Sequence, residues 1–384
     1  MRIDAVVIHP VRLPFVGDFS HSLKTGQSAG NIVVEVIANG GALCGYGEGA
    51  PRAYVTGESI GGTLDNIRDL TARSVFPWDL ADLDAIAHFS KRVITHRRRN
   101  AAVCALETAL IDALGKENNK PALEFFSSDF KTDQIRYGAA IPLAGTERTT
   151  EIGRFIKDQL KIRRIKLKFD GDYHRNLAAL EAIGKLFNTD CDLKVDVNCV
   201  WDLQLALAHL DPIRKYKVRV VEQPMMPNRP EIAEFAPRLK EMDVFLMADE
   251  SACTLEETEA LMAEGHYNMI NVRLSKCGGL INSLRIIDTL RKEAVPFQVA
   301  CQLGESGILS AAGRLLGLLC CDAAYYDGSY DEFLLKENVT TENVTFGKGG
   351  KAGPLPDPGL GITVSREKLK RLSAGYHSVE IPRP

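Results

Sequence analysis

RIKLKFDGDYHRNLAALEAIGKLFNTDCDLKVDVN, residues 164–198, is one strand–helix–strand unit. Its ends are short and apolar, while RNLAALEAIGKLF (175–187) carries apolar residues at three- and four-residue spacing, the pattern of an amphipathic helix. The rhythm begins near Ile135 and repeats. Strands are predicted near 137–143, 164–169, 193–197, 218–222, 244–249, 269–274, 297–301 and 323–327, each followed by a helix-length segment such as LEETEALMAEG. Eight strands with about 25 to 28 residues between equivalent points predict a parallel β/α barrel, whose chemistry sits at the C-terminal ends of its strands. A doubly wound open sheet is the competing architecture; no glycine-rich dinucleotide fingerprint follows any of these strands.

Outward from the barrel, the first hundred residues alternate as antiparallel strands: IDAVVIHPVRL, NIVVEVIA, a turn at Asn39-Gly40-Gly41, and ALCGYGEG. Between the first two, residues 14–30 are long, polar and glycine-bearing, and a mobile loop is expected there. The clearest helix is AAVCALETALIDALGKE from Ala101, and the basic run His96–Arg99 before it reads as a solvated helix start. GKGGKAG (347–353) lacks the context of a phosphate-binding loop and reads as a surface turn. Residues 1–130 are assigned to a capping domain, 131–354 to the barrel, and 355–384 to a segment folding back onto the cap.

The 384 residues carry 47 Lys and Arg against 50 Asp and Glu, a balance without the positive field that nucleic-acid binding uses. Neither nucleic acid nor a membrane is expected as partner, and no apolar run approaches the roughly 20 residues that span a bilayer. The N-terminus lacks a secretory apolar core. Nine cysteines without metal-knuckle spacing read as reduced thiols, and a cytoplasmic location follows.

Charged residues close consecutive strands: Lys168, Asp196, Glu222, Asp249 and Lys276, separated by 28, 26, 27 and 27 residues. A barrel brings all five to one mouth. Three carboxylates on adjacent strands, with no histidine or cysteine beside them, suit a hard cation, and Mg²⁺ is the expected cofactor. Asn198, two residues past Asp196, shares its strand face and could hold a ligand or water. Lys168 and Lys276 stand four strands apart and should face each other across the mouth, addressing the two faces of one carbon. Lys166, on the same face as Lys168, is a second ammonium that would favour its neighbour's neutral form.

These motifs, IKLKFD (165–170), VDVN (195–198), VEQP (221–224), ADES (248–251) and NVRLSKCGG (271–279), resemble those of the enolase superfamily, specifically its muconate-lactonizing-enzyme subgroup, also called the mandelate racemase/muconate lactonizing enzyme family. The likeness extends to GYGEGAPRAYVTGES (45–59), ALETALIDALGK (105–116), GESGILSAAG (304–313) and PDPGLGI (356–362). It implies an α/β fold, a (β/α)7β TIM-like barrel with an α+β capping domain. It implies Mg²⁺ on Asp196, Glu222 and Asp249, Lys168 and Lys276 as the acid/base pair, and two specificity loops near 15–28 and 52–58. Dipeptide epimerases of this subgroup carry an Asp-x-Asp pair closing strand eight and Asn-x-Lys-x-x-Lys on strand six. Here Asn271, Arg273 and Lys276 approach the second pattern, but strand eight ends Tyr326-Asp327-Gly328-Ser329, with one aspartate in place and Asp331 as a potential substitute.

The resemblance implies a Mg²⁺-dependent isomerase that abstracts the proton α to a carboxylate through an enolate, leading to a dipeptide-epimerase-like enzyme acting on a dipeptide or amino-acid derivative. A muconate-type cycloisomerase or an o-succinylbenzoate-synthase-like enzyme is the alternative, and a non-catalytic small-molecule-binding barrel the alternative of another class. Substrate contacts are expected from Asn198, Asp327, Glu305, Lys24 and Arg52, with His21 beside them, and a homo-oligomer is expected. Asp327 is expected to meet a cationic part of the substrate.

Overall fold

The computed structural model describes residues 1–21, 24–93, 96–188 and 190–384; the side chains of 18–25 lie outside the described residues, among them those of His21 and Lys24. Alternating apolar residues build β1 (Ile3–His21), β2 (Lys24–Ala38) and β3 (Leu43–Gly49), joined at the far edge by β14 (Val379–Pro382) to give the antiparallel order β14-β1-β2-β3. Residues expected to form a mobile loop instead prolong the β1–β2 ladder: Arg12 pairs Gly30, Leu13 pairs Ala29 and Pro14 pairs Ser28, and after an irregularity Phe19 pairs Gly26. The reason is the period-two pattern itself, which carries on through Leu13 and Phe15, both buried, while Arg12 and Val16 take the exposed face.

α1 (Ile60–Ala72), α2 (Leu83–Val93) and α3 (Asn100–Glu117) complete the cap. α3 is buried from Asn100 to Gly115, wedged between β3 and the barrel. It comes that close because Gly45, Gly47 and Gly49, alternate residues on one face of β3, leave room: a Cβ on Gly47 would stand 2.1 Å from the Ala105 carbonyl oxygen.

β4 (Ile135–Arg136) forms a separate ribbon with β13 (Lys351–Ala352). The surface turn expected at 347–353 packs here: Tyr137 donates its N–H to the Gly350 carbonyl at 2.8 Å, and Gly350 is buried. The barrel strands are β5 (Ala139–Ile141), β6 (Arg164–Lys168), β7 (Asp192–Asp196), β8 (Val218–Glu222), β9 (Phe245–Ala248), β10 (Met269–Arg273), β11 (Phe297–Ala300) and β12 (Tyr325–Tyr326), parallel and in sequential order. The ring closes where Gly138 donates its N–H to the Tyr326 carbonyl at 2.7 Å. Between strands run α4 (Thr146–Phe155), α5 (Tyr173–Phe187), α6 (Leu203–Ala208), α7 (Leu210–Lys215), α8 (Ile232–Lys240), α9 (Leu255–Glu264), α10 (Leu274–Cys277), α11 (Leu280–Lys292) and α12 (Gly307–Leu318).

Cap and barrel interlock through buried polar groups. Glu107 of α3 accepts the N–H groups of Leu280 and Ile281 at the start of α11, and Glu48 of β3 accepts those of Ser306 and Leu309 at the start of α12. Each carboxylate meets the positive end of a helix. Arg97, expected to be solvated, donates to Glu257 at 2.7 Å and to the Val55 and Glu250 carbonyls, because Glu257 stands in the first turn of α9 facing it. All nine cysteines are free, and among the described residues no helix is long and apolar enough to cross a membrane.

Gly47→Val would drive two methyl groups into the backbone of α3. Overpacking of this kind costs about 1–3 kcal/mol or more, so urea unfolding should show a midpoint well below that of the wild type. Equal midpoints would contradict the packing described.

Candidate active site

β6, β7 and β8 end in register, with Lys168 beside Asp196 and Asp196 beside Glu222. Asp249 lies one residue past β9. Lys276, expected at a strand end, sits three residues beyond β10 in the short helix α10. Asp196, Glu222 and Asp249 are all buried at 0% exposure. The lysines flank this row: Lys168 donates to Asp196 Oδ2 at 2.5 Å, and Lys276 donates to Asp249 Oδ1 at 3.1 Å and to the carbonyls of Asp249 and Asn271.

Backbone placement depends on Gln223. Its Oε1 accepts the N–H groups of Asp249 and Ser251, at 2.8 and 3.1 Å, tying the end of β9 to that of β8. Gln223, Asn198 and Cys199 all adopt positive φ, of 36°, 48° and 69°. Such strain in non-glycine residues costs of order 1–3 kcal/mol each and persists where surrounding bonds impose it; here Cys199 donates its N–H to the Gln223 carbonyl at 2.8 Å. Asn198 accepts from Lys168 Nζ at 2.9 Å through Oδ1 and donates to Glu250 Oε1 at 3.1 Å, which fixes its amide orientation and steers the lysine.

Positive charge is distributed along the carboxylates. Lys166 Nζ lies 2.8 Å from Asp327 Oδ2, 3.3 Å from Glu222 Oε2 and 3.8 Å from Asp196 Oδ2. Burial opposes its charge, but Asp327, then Glu222 and Asp196, hold the ammonium protonated well above the usual lysine range. The structure places Lys166 as a second ammonium on the face of β6 that carries Lys168, its charge shared among three carboxylates. Burial likewise opposes the charge of Asp196, yet Lys168 and Lys166 keep its carboxyl below the usual range. Burial pulls Lys276 down from the usual lysine range. Glu250 is pushed up to about 7 by burial and by Asp196.

Two cations were missed as site residues. Arg273 Nη2 donates to Glu222 Oε1 at 3.2 Å and lies against Asp249 Oδ2; Lys194 Nζ lies 3.1 Å from Asp327 Oδ2 and donates to Gln298 Oε1. Both could have been found from strand alternation, since Lys194 shares a face with Asp196 and Arg273 with Asn271. Asp327, expected to be open to substrate, is 4% exposed and held well below the usual carboxylate range, burial being outweighed by Lys166 and Lys194. Arg52, another expected substrate contact, donates instead to the carbonyls of Gly30, Pro51 and Leu303 and to Asn31 Oδ1. That guanidinium is a clamp between cap and barrel. Glu305 follows β11, accepts the Gln302 N–H at 2.6 Å, and is pushed up to about 8 by burial.

The donor set fits a hard divalent cation. It consists of oxygens only, on three adjacent strand ends, and beside them the buried Glu250 Oε2 accepts no hydrogen bond. As they stand, with Lys166 and Arg273 between them, the acidic groups among the described residues do not close into a ready coordination shell. A cation already bridges each neighbouring pair, as the chemistry of three close carboxylates demands.

The family model described as Enolase C-terminal domain-like matches residues 134–368. Hydrophobic dipeptide epimerase of Enterococcus faecalis is 25% identical over 372 residues, covering 94% of this chain and 100% of the relative. The crystal structure of N-succinyl Arg/Lys racemase from Bacillus cereus superposes with a TM-score of 0.86 at 20% identity, over 99% of this chain and 100% of that one. A dipeptide epimerase structure from Enterococcus faecalis, complexed with Mg and L-Leu-L-Tyr, gives 0.82 at 23% identity, over 94% and 100%.

Glu305 yields a pH test. Its folded carboxyl keeps its proton to about 8, whereas the unfolded chain loses it near 4.5. Stability therefore falls as pH rises between those values and is level above them. Glu305→Gln cannot titrate, so its stability relative to wild type should climb to about pH 8 and then plateau in unfolding experiments. A constant difference across that range would show that the carboxyl titrates normally.

Proposed function

The chain belongs to the enolase C-terminal domain-like family, and from that premise we propose that it is a Mg²⁺-dependent isomerase that removes the proton α to a substrate carboxylate and returns it, epimerising or racemising a dipeptide or other amino-acid derivative. The observation that carries this reading is the row of three buried carboxylates with one lysine at each end. The dipeptide epimerase and racemase relatives support it by name, and the Enterococcus faecalis epimerase structure holds Mg.

Asp196, Glu222 and Asp249 would hold Mg²⁺, which when bound supplies positive charge to the substrate carboxylate as negative charge develops there. Lys168 and Lys276 carry the proton, one taking it from the α-carbon and the other delivering one to the opposite face. Asn198 and Asp196 hold Lys168 Nζ in place; the carbonyls of Asp249 and Asn271 do the same for Lys276. Lys166 and Arg273 remain cations and keep the carboxylates ionised. Nine free cysteines suit a reducing compartment, which supports the cytoplasm as location.

One observation favours a second reading. Lys276 is 0% exposed, whereas the Lys168 side chain is 13% exposed. If only Lys168 exchanges protons, the chemistry is single-faced, as in a cycloisomerase.

Two experiments decide. In D₂O, Lys168→Ala should lose α-proton exchange from one stereoisomer by about 10²–10⁴-fold while keeping exchange from the other, and Lys276→Ala should show the reverse preference. Loss from both isomers in both variants, with fold retained, favours the single-faced reading. Chelation should abolish exchange and added Mg²⁺ restore it, with Asp249→Asn weakening Mg²⁺ binding in calorimetry. Full turnover after chelation would refute the metal assignment.

A further inference from the structure

At the end of the barrel opposite the carboxylate row, a depression of about 690 Å³ lies under the starts of β6, β7, β8 and β9. Strand alternation decides what reaches it. Arg164 shares a face of β6 with Lys166 and Lys168, and Asp192 shares a face of β7 with Lys194 and Asp196, so the two stand side by side in the barrel floor. Tyr325 of β12 closes that floor, donating its hydroxyl to Asp192 Oδ1 at 3.0 Å. The Arg164 guanidinium lies 5.8 Å from the centroid of its ring, and Lys194 Nζ, deeper in the barrel, 4.4 Å from it.

The carboxylates of the depression are already committed. Asp190 is ion-paired with Arg163, Asp243 with Arg219 at 3.5 Å, and Asp192 holds the Tyr325 hydroxyl. Arg164 and Lys217, both exposed, are left without a carboxylate in ion-pair reach among the described residues. The partial negative charge at the C-terminal end of α7 accounts for Arg214 and Lys217. It does not account for Arg164, which belongs to the barrel floor. Arg219 lies close enough to Tyr325 to act, together with Arg164, against the upward push of burial and Asp192 on its hydroxyl, so two guanidiniums gather on one side of the depression.

A planar guanidinium offers paired N–H donors that match phosphoryl oxygens, and two of them together favour a multiply charged anion. Ile213, Val218, Met242 and Val244 add an apolar wall, and the volume falls in the range of small-molecule sites, roughly 300–1,000 Å³. We propose that this depression is a second binding site, separate from the carboxylate row, for an organic phosphate of nucleotide size: Arg164 and Arg219 hold the phosphoryl oxygens and the apolar wall meets the organic body. The site stands or falls independently of the proton-transfer reading.

Calorimetric titration of the full chain with ADP, adenosine and inorganic phosphate tests it, without Mg²⁺ because the metal would complex the nucleotide. ADP should bind at least tenfold more tightly than either of its parts. Arg164→Gln and Arg219→Gln should each weaken ADP at least tenfold, a charge-assisted hydrogen bond being worth roughly ten- to a hundredfold in binding. Arg154→Gln, which removes an exposed charge of α4 outside the depression, should leave ADP affinity unchanged. Absence of ADP binding, adenosine or phosphate binding as tightly as ADP, unchanged ADP affinity in either folded depression variant, or equal weakening by Arg154→Gln overturns the proposal. Should one of the two depression variants fail to fold, the other decides.

Discussion

Asp196, Glu222, Asp249 and Asp327 are buried within one end of a barrel, and an ionised carboxylate cannot be held out of water without a counter-charge. Lys166, Lys168, Lys194, Arg273 and Lys276 provide it, each reaching at least one of the four. Breaking one partner of such a buried pair costs several kcal/mol because the other is left uncompensated. The site is therefore a network in which no single side chain changes alone, and the strand alternation that aims Lys166, Lys168, Lys194 and Asp196 inward is what makes it possible.

The strand ends translate that charge pattern into geometry. Gln223, Asn198 and Cys199 sit in left-handed conformations, Gln223 anchored by its side-chain bonds to Asp249 and Ser251 and Cys199 by its N–H bond to the Gln223 carbonyl. Their strain is concentrated at the ends of β7 and β8, beside Asp196 and Glu222. The remainder of the barrel wall is ordinary packing of branched apolar residues.

Lys168, Asp196, Glu222 and Asp249 were legible because one repeat of the barrel places one charge at one height, so their spacing carried three-dimensional information; Lys276 keeps that spacing while standing three residues past β10, in α10. Residues 14–30 were misread because glycine and serine say little about pairing when the partner strand is supplied by the same hairpin. Asp327 was placed correctly on its strand and misjudged in its surroundings, since its two lysine partners lie 161 and 133 residues earlier (327 − 166 and 327 − 194) and no local pattern joins them. Arg52 was read as a substrate contact, and its clamp role was not legible for the same reason: the carbonyls it binds belong to backbone whose position is set only by the docking of cap on barrel.

The starts of α11 and α12 take their carboxylate partners from Glu107 and Glu48, residues of the cap. A helix whose first N–H groups are satisfied by a distant segment is incomplete until that segment has docked. The barrel released from its cap would expose these donors together with the apolar surface under α3. The two lobes thus constitute one cooperative unit, and a hinge that opens the molecule between them is not available for admitting substrate; access is left to the loops around the mouth.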